Sequence, residues 1–225
     1  SDDRWILLRL DRAIREITDT LASYRFSEAA QTIYRFFWNE YCDWYLEASK
    51  AVMTGPDAPR KANTLAVIDL VLSHILRLFH PFLPFITEEL WRGIGYPEDM
   101  PEDQGGRTIM QAPWPKPLED DVKKYYGLDD RAEAFVSAKY DLVVQARNLR
   151  RECNLPSSRK VNFVIRPADD QLAGEFAVLK VLLNAENLTL DAAYQPKKGT
   201  PTARTDLGEV YLPLEGLIDV AAEQA

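Results

Sequence analysis

Apolar residues recur every three or four positions through most of the first ninety residues, which is the period of amphipathic helices. The pattern predicts helices over residues 2–24, 26–53, 60–79 and 84–92. The links between these segments are short, and short links favour antiparallel packing of neighbouring helices. Residues 1–95 are therefore expected to form a helical bundle.

The second predicted helix contains six aromatic residues in the ten positions from Phe36 to Tyr45. Each large ring buries ~150–250 Å² when it enters a core. Because it carries so many rings, this helix is expected to be the central helix of the bundle. Core packing is the simplest role for Phe37, Tyr41 and Tyr45. Two further rings, Trp38 and Trp44, are candidates either for the core or for contact with a ligand.

The residue composition of the sequence changes after the predicted bundle. Residues 96–127 are rich in proline, glycine and acidic residues and predict a connector, which Trp114 is expected to pin to the bundle. Residues 128–152 then predict a long helix. Short alternating runs predict strands over 161–165, 188–190 and 210–212, the third reached through Gly208, with an amphipathic helix over 169–183. Residues 128–225 are expected to form a small α/β subdomain with about three strands.

The predicted fold class is thus mainly α, an antiparallel helical bundle followed by a small mixed α/β subdomain. The chain does not begin with methionine, and its last seven residues read like the start of another helix. We therefore expect it to be a piece of a longer protein.

Charge is distributed unevenly along the chain, whose formal net charge is −8. Between residues 98 and 130, nine acidic residues stand against four basic ones, whereas six basic residues stand against two acidic ones between 139 and 160. Local charge matters more than total charge for contact with a polyanion. The basic island is therefore the best candidate for a nucleic-acid contact.

Basic side chains of this island are expected to share one face of the long helix and its end. Spacings of three and four residues place Arg147, Arg150 and Arg151 close together, and Arg159 and Lys160 follow the helix. The alternative is a solvated face, or one paired with acidic residues of the same chain. Two weaker candidates for nucleic-acid contact are Arg35 and Lys50.

Catalysis by histidine or a metal is not expected. The two histidines and two cysteines form no H-x-x-x-H, C-x-x-C or G-x-S-x-G pattern, and Cys42 and Cys153 are expected to be reduced thiols. No apolar run approaches the ~18 residues of a membrane span. A signal peptide is not visible either, so no membrane partner is expected.

Three segments carry a resemblance to a known family: residues 3–7 (DRWIL), 36–47 (FFWNEYCDWYLE) and 80–91 (HPFLPFITEELW). They resemble the bundle domain of class Ia aminoacyl-tRNA synthetases. Segments 42–47 and 212–219 (LPLEGLID) are most similar to the valine-specific branch of that class. The zinc module of the isoleucine-specific branch could not be built from two isolated cysteines.

The resemblance implies an anticodon-binding domain that holds the anticodon loop of the valine tRNA. Valine anticodons share A in the middle and C in the last position, so these two bases are the expected readout. The resemblance also implies a catalytic domain in the same chain, outside this sequence, that binds ATP and Mg²⁺. This segment by itself is then expected to be non-catalytic and to bind no cofactor. A coiled-coil arm is expected to begin near residue 219.

The same resemblance implies a monomeric cytoplasmic enzyme of protein biosynthesis, with tRNA rather than DNA as its nucleic-acid partner. Two other functions stay open. One is a helical adapter that binds another protein through the bundle surface, which the acidic total charge favours. The other is small-molecule catalysis within this segment, for which no group of residues provides support.

Overall fold

The computed structural model describes residues 1–99 and 108–214, and the chain forms two compact units. The first consists of Ser1–Leu46 and Gly55–Glu133, and the second of Glu47–Thr54 together with the described part of Ala134–Ala225. The sequence pattern did not indicate that Glu47–Thr54 joins the second unit. The division into a bundle (1–95), a connector (96–127) and an α/β part (128–225) stays a prediction.

The fold class predicted from the sequence is confirmed, since helices dominate the described residues and a small mixed sheet follows them. In chain order the α-helices are α1 (Asp2–Ala22), α2 (Phe26–Arg35), α3 (Glu47–Thr54), α4 (Ala58–Phe79), α5 (Pro84–Ile94), α6 (Tyr96–Asp99), α7 (Asp120–Tyr126), α8 (Asp130–Glu152) and α9 (Phe176–Leu182). A π-helix (Phe36–Leu46) joins α2 to α3, and 3₁₀ turns cover Ile109–Gln111 and Asp170–Glu175.

The aromatic segment is not the continuous α-helix that the sequence pattern predicted, because Phe36–Leu46 is a π-helix. A π-helix closes its hydrogen bonds five residues apart, so its turns are wider than those of an α-helix. Buried positions accordingly recur at wider spacing, at Phe36, Tyr41 and Tyr45. The core placement of Tyr41 and Tyr45 is confirmed, whereas Phe37 is only half-buried and Trp38 is 50% exposed.

The core of the first unit includes the apolar stripe of α1, in which Ile6, Leu10, Ile14 and Ile17 are buried. Trp114 also behaves as expected, because its indole nitrogen donates to the hydroxyl of Thr18 at 2.9 Å. Residues 100–107 of the predicted connector lie outside the described residues.

Helix α5 departs from the predicted pattern. Its apolar side chains were expected to face the core, but Phe85 is 90% exposed, and Ile86 and Leu90 are also exposed. Trp91 is the large apolar side chain of α5 that is fully buried, and its ring packs against Tyr96 with a centroid distance of 4.7 Å. The spacing of apolar residues thus predicted where α5 lies in the sequence. It did not predict which of its side chains are buried in the first unit.

Contrary to the expectation that no segment reaches span length, α4 (Ala58–Phe79) is long and apolar enough to cross a membrane. This is weak evidence, since the core helix of a bundle can have the same length and composition. Of its most apolar window, 33% is buried. The absence of a membrane partner stays a prediction.

The second unit contains a four-stranded sheet in the order β2 (Ala185–Leu190), β1 (Val161–Pro167), β4 (Gly208–Tyr211), β3 (Thr202–Thr205). Strands β1 and β2 are parallel, and the other neighbours are antiparallel. The sequence predicted about three strands and missed β3. This strand is a short polar edge strand, TART, without an apolar alternation that would have revealed it.

A glycine opens β4, as the sequence suggested. Gly208 has φ +134°, and a Cβ atom at this position would lie 2.3 Å from the carbonyl oxygen of Arg166. No other residue type fits without movement of the backbone. The last predicted features, the end of segment 212–219 and the start of a coiled-coil arm, lie outside the described residues.

Candidate nucleic-acid interface

An exposed pair of stacked rings stands on the surface of the first unit. Tyr34 in α2 and Trp38 in the π-helix lie with ring centroids 6.5 Å apart and planes 11° from parallel. Tyr34 is 59% exposed and Trp38 is 50% exposed. We call this pair the Tyr34–Trp38 platform. Such a flat aromatic surface is suited to stacking on an unpaired base.

Arg35 lies between the two platform residues in the sequence, but its charge is partly compensated. Its Nη2 forms an ion pair with the carboxylate of Glu16 at 3.0 Å. Glu16 also accepts a hydrogen bond from Thr32 at 2.7 Å, and this bond, with the charge of Arg35, lowers the pKa of the Glu16 carboxyl. Arg35 therefore has an intramolecular role in addition to its candidate role in RNA contact.

The two other candidates from the aromatic region differ in exposure. Trp44 is half-buried. Lys50 is exposed in α3, which belongs to the second unit, and its ammonium group lies 2.5 Å from the carboxylate of Glu47. Since both partners are exposed, this ion pair is expected to contribute little to stability and to open easily toward an anion.

Arg150 is buried, unlike Arg147 and Arg151. It is only 5% exposed, and its guanidinium donates to the carbonyl oxygens of Leu183 at 3.0 Å, Pro156 at 2.8 Å and Ser157 at 3.0 Å. It also donates to the carbonyl oxygen of Arg159. Arg150 thus braces the end of α9 and the loop after α8 from inside the second unit.

The remaining arginines of the predicted face line a cleft beside this brace. The cleft has a volume of about 640 Å³, and its lining includes Arg147, Arg150 and Arg151. Arg147 donates to the carbonyl oxygen of Leu182 at 2.9 Å, and both Arg147 and Arg151 are exposed. We call this the arginine cleft.

The structure places Lys160 at a second cleft of the same unit, about 420 Å³ in volume. Lys180 and the 39% exposed ring of Phe176, both in α9, also line this cleft. We call it the lysine cleft. Asn184 lines both clefts, so the two are neighbours on the surface of the second unit. Arg159 is exposed in the loop that precedes β1.

The predicted basic residues are therefore brought together in part, although whether any of them contacts RNA stays a prediction. The second unit gathers Arg147, Arg150, Arg151 and Lys160 around two adjoining clefts, whereas Arg35 and Trp38 belong to the first unit. The sequence interpretation missed Tyr34, Phe176 and Lys180. Tyr34 could have been found from its spacing of four residues from Trp38, but the other two join the clefts only through the packing of α9.

Within residues 1–99 and 108–214, no group of three or more histidine, cysteine or acidic side chains could hold a metal ion. Burial raises the pKa of the Cys42 and Cys153 thiols, which disfavours the reactive thiolate at neutral pH.

Comparison with known proteins agrees with these features. A family model described as the anticodon-binding domain of tRNA ligase matches residues 3–165. The valine–tRNA ligase of Staphylococcus saprophyticus is 35% identical over 99% of this chain and 24% of its own length. That of Bacillus thuringiensis is 34% identical over 99% of this chain and 24% of its own length. That of Nitrobacter winogradskyi is 35% identical over 99% of this chain and 25% of its own length.

The chain therefore spans about a quarter of the length of the curated relatives that it matches. The family model covers most of the chain, including the first unit from residue 3 onward and the second unit as far as residue 165. The family resemblance that the sequence analysis inferred from three segments is confirmed. The chain belongs to the family of anticodon-binding domains of tRNA ligases.

Proposed function

We propose that this chain is the part of a valine–tRNA ligase that binds the anticodon loop of the valine tRNA. The observation that carries the proposal is the similarity to valine–tRNA ligases over 99% of the chain. The exposed Tyr34–Trp38 platform and the basic clefts of the second unit support it, because unpaired RNA is held by stacking and by cations near its phosphates.

In the whole protein, a catalytic domain elsewhere in the same chain binds ATP and Mg²⁺. It joins valine to AMP as valyl-adenylate, with release of pyrophosphate, and then transfers the valyl group to the 3′ end of the tRNA. The present chain positions the tRNA during these steps and is itself non-catalytic. The whole enzyme is then a monomeric, cytoplasmic component of translation.

The test is a titration of the chain into a labelled RNA stem-loop that carries the valine anticodon, monitored by fluorescence anisotropy. We expect saturable binding that weakens as salt increases, because cations contact the phosphates. A stem-loop with a changed middle base serves as the control and is expected to bind more weakly. If neither RNA binds, the adapter interpretation replaces this proposal. Equal binding of both would leave only a nonspecific electrostatic contact.

A further inference from the structure

The arginine cleft and the lysine cleft together have the features of a binding track for a strand of RNA. Their linings contain five cationic residues and, over the described residues, no aspartate or glutamate. The five are Arg147, Arg150, Arg151, Lys160 and Lys180. Elsewhere in the second unit, cations pair with carboxylates, as Lys139 does with Glu175 and Arg204 with Glu209. The linings of both clefts are therefore cationic.

Concentrating like charges in this way is unfavourable for the second unit alone. Burial, and then the neighbouring charge of Arg147, lower the pKa of Arg150 below its ordinary value. Three groups at the clefts, Arg151, Lys160 and Lys180, form no ion pair with another described residue. An anion bound between them would supply the missing negative charge.

Groups that suit a base lie next to these cations. The arginine cleft is also lined by the apolar side chains of Leu155, Leu182 and Leu183 and by the amides of Asn154 and Asn184. In the lysine cleft, which Lys160 and Lys180 also line, the exposed ring of Phe176 offers a stacking surface. A volume of about 640 Å³ lies within the ~300–1,000 Å³ typical of ligand pockets.

We propose that the two adjoining clefts bind successive nucleotides of a single RNA strand, with phosphates beside the arginines and lysines and one base stacked on Phe176. The inference rests on the proposed function, because it takes the RNA to be the tRNA. It goes beyond that function by assigning an RNA site to the second unit, separate from the Tyr34–Trp38 platform. Arg150 is a positioning residue here, since its bonds to carbonyl oxygens hold the walls of the arginine cleft.

The experiment measures the affinity of the chain for a labelled tRNA that carries the valine anticodon, at several salt concentrations. The double variant R151A/K180A removes two exposed cationic side chains, neither of which forms a described side-chain hydrogen bond or ion pair. We expect the slope of log affinity against log salt to become shallower by about 1.4–1.8, because each lost phosphate contact changes it by about 0.7–0.9. Phe176→Leu keeps an apolar side chain but removes the ring, and should weaken binding by about 5- to 150-fold.

The matched control is the double variant K198A/R204A, which removes a lysine and an arginine that are exposed in the same unit but line neither cleft. It should bind with the affinity and salt slope of the parent chain, and thermal unfolding should show that every variant is folded. If R151A/K180A and Phe176→Leu bind like the parent, the track is wrong while the proposed function stands. If the parent chain binds no tRNA, both are wrong.

A second arm separates RNA phosphates from small anions. In nuclear magnetic resonance spectra, the tRNA should shift the side-chain amide signal of Asn184, which lines both clefts. A shift caused by inorganic phosphate at equal ionic strength, with none caused by the tRNA, would overturn the RNA track in favour of a small-anion site.

Discussion

At the scale of single residues, one carboxylate joins three helical segments of the first unit. Asp3 in α1 accepts a hydrogen bond from Tyr45 in the π-helix at 2.7 Å, and from Asn63 and Thr64 in α4 at 3.0 Å each. Asp3 and Tyr45 belong to two of the segments that revealed the family resemblance. These segments therefore meet in space, and part of their role is to hold the bundle together.

The Tyr45 hydroxyl gives a direct test of this junction. Tyr45 is fully buried, and its second acceptor, the carbonyl oxygen of Thr64, lies 3.5 Å away. Tyr45→Phe should lower the free energy of unfolding by about 1–3 kcal/mol, because the Asp3 carboxylate loses a donor. Urea unfolding measures the change. Tyr24→Phe, at a position that is 81% exposed, is the control and should have no effect, so similar losses in both variants would contradict this account.

His74 in α4 predicts a pH dependence. Burial, followed by the charge of Arg77, lowers the pKa of His74 to about 4, against about 6.5 in an unfolded chain. Between these values the unfolded state binds more protons than the folded state, so stability rises with pH across this window. The contribution is fully present above about pH 6.5 and is lost as the pH falls toward 4.

The measurement compares urea unfolding of the parent chain and of His74→Leu at several pH values from 4 to 7. The parent should lose more stability than the variant as the pH falls, because leucine has no proton to bind. Identical pH profiles for the two proteins would show that His74 does not titrate in this way.

At the scale of elements, the π-helix decides which aromatic rings are available to a ligand. Its wider turns bury Phe36, Tyr41 and Tyr45 and leave Trp38 beside Tyr34 on the surface. A continuous α-helix would have placed Trp38 on the buried side with Phe37 and Tyr41. The π-helix thus separates Trp38, which is exposed, from Tyr41 and Tyr45, which are buried.

Trp38→Ala tests whether the platform stacks on an RNA base. We expect an affinity for the valine anticodon stem-loop that is about 5- to 150-fold weaker, which corresponds to the loss of one stacked base. Half of the side chain is buried, so urea unfolding must show that the variant is folded before the affinities are compared. Tyr24→Ala removes another exposed ring of the first unit and should leave the affinity unchanged. Equal affinities of Trp38→Ala and the parent chain would exclude the platform from the interface.

The elements also show where prediction from the sequence stops. The extents of α1, α5 and α8 follow from local spacing and were predicted within two or three residues. The π-helix was missed because the ring spacing was interpreted with the α-helical period. The burial of Arg150 depends on the carbonyl oxygens of Pro156, Ser157 and Leu183, whose position follows from packing between distant segments.

At the scale of the whole molecule, the distribution of charge reconciles an acidic chain with the proposed RNA ligand. The net charge is −8, yet the two clefts of the second unit have cationic linings without a described carboxylate. In the first unit, several cations are paired internally, as Arg9 is with Glu40 at 2.6 Å. The family could be predicted from three segments of the sequence. The lysine cleft, and the fact that it adjoins the arginine cleft, could not be predicted.

Readout of the valine anticodon is the function proposed for this chain. It is tested most directly by competition between two transcripts of the same tRNA, which differ only in the middle and last bases of the anticodon. We expect the transcript with the valine anticodon to bind at least about tenfold more tightly, because the contacts of two unpaired bases are lost in the other. Equal dissociation constants at physiological salt would contradict the account.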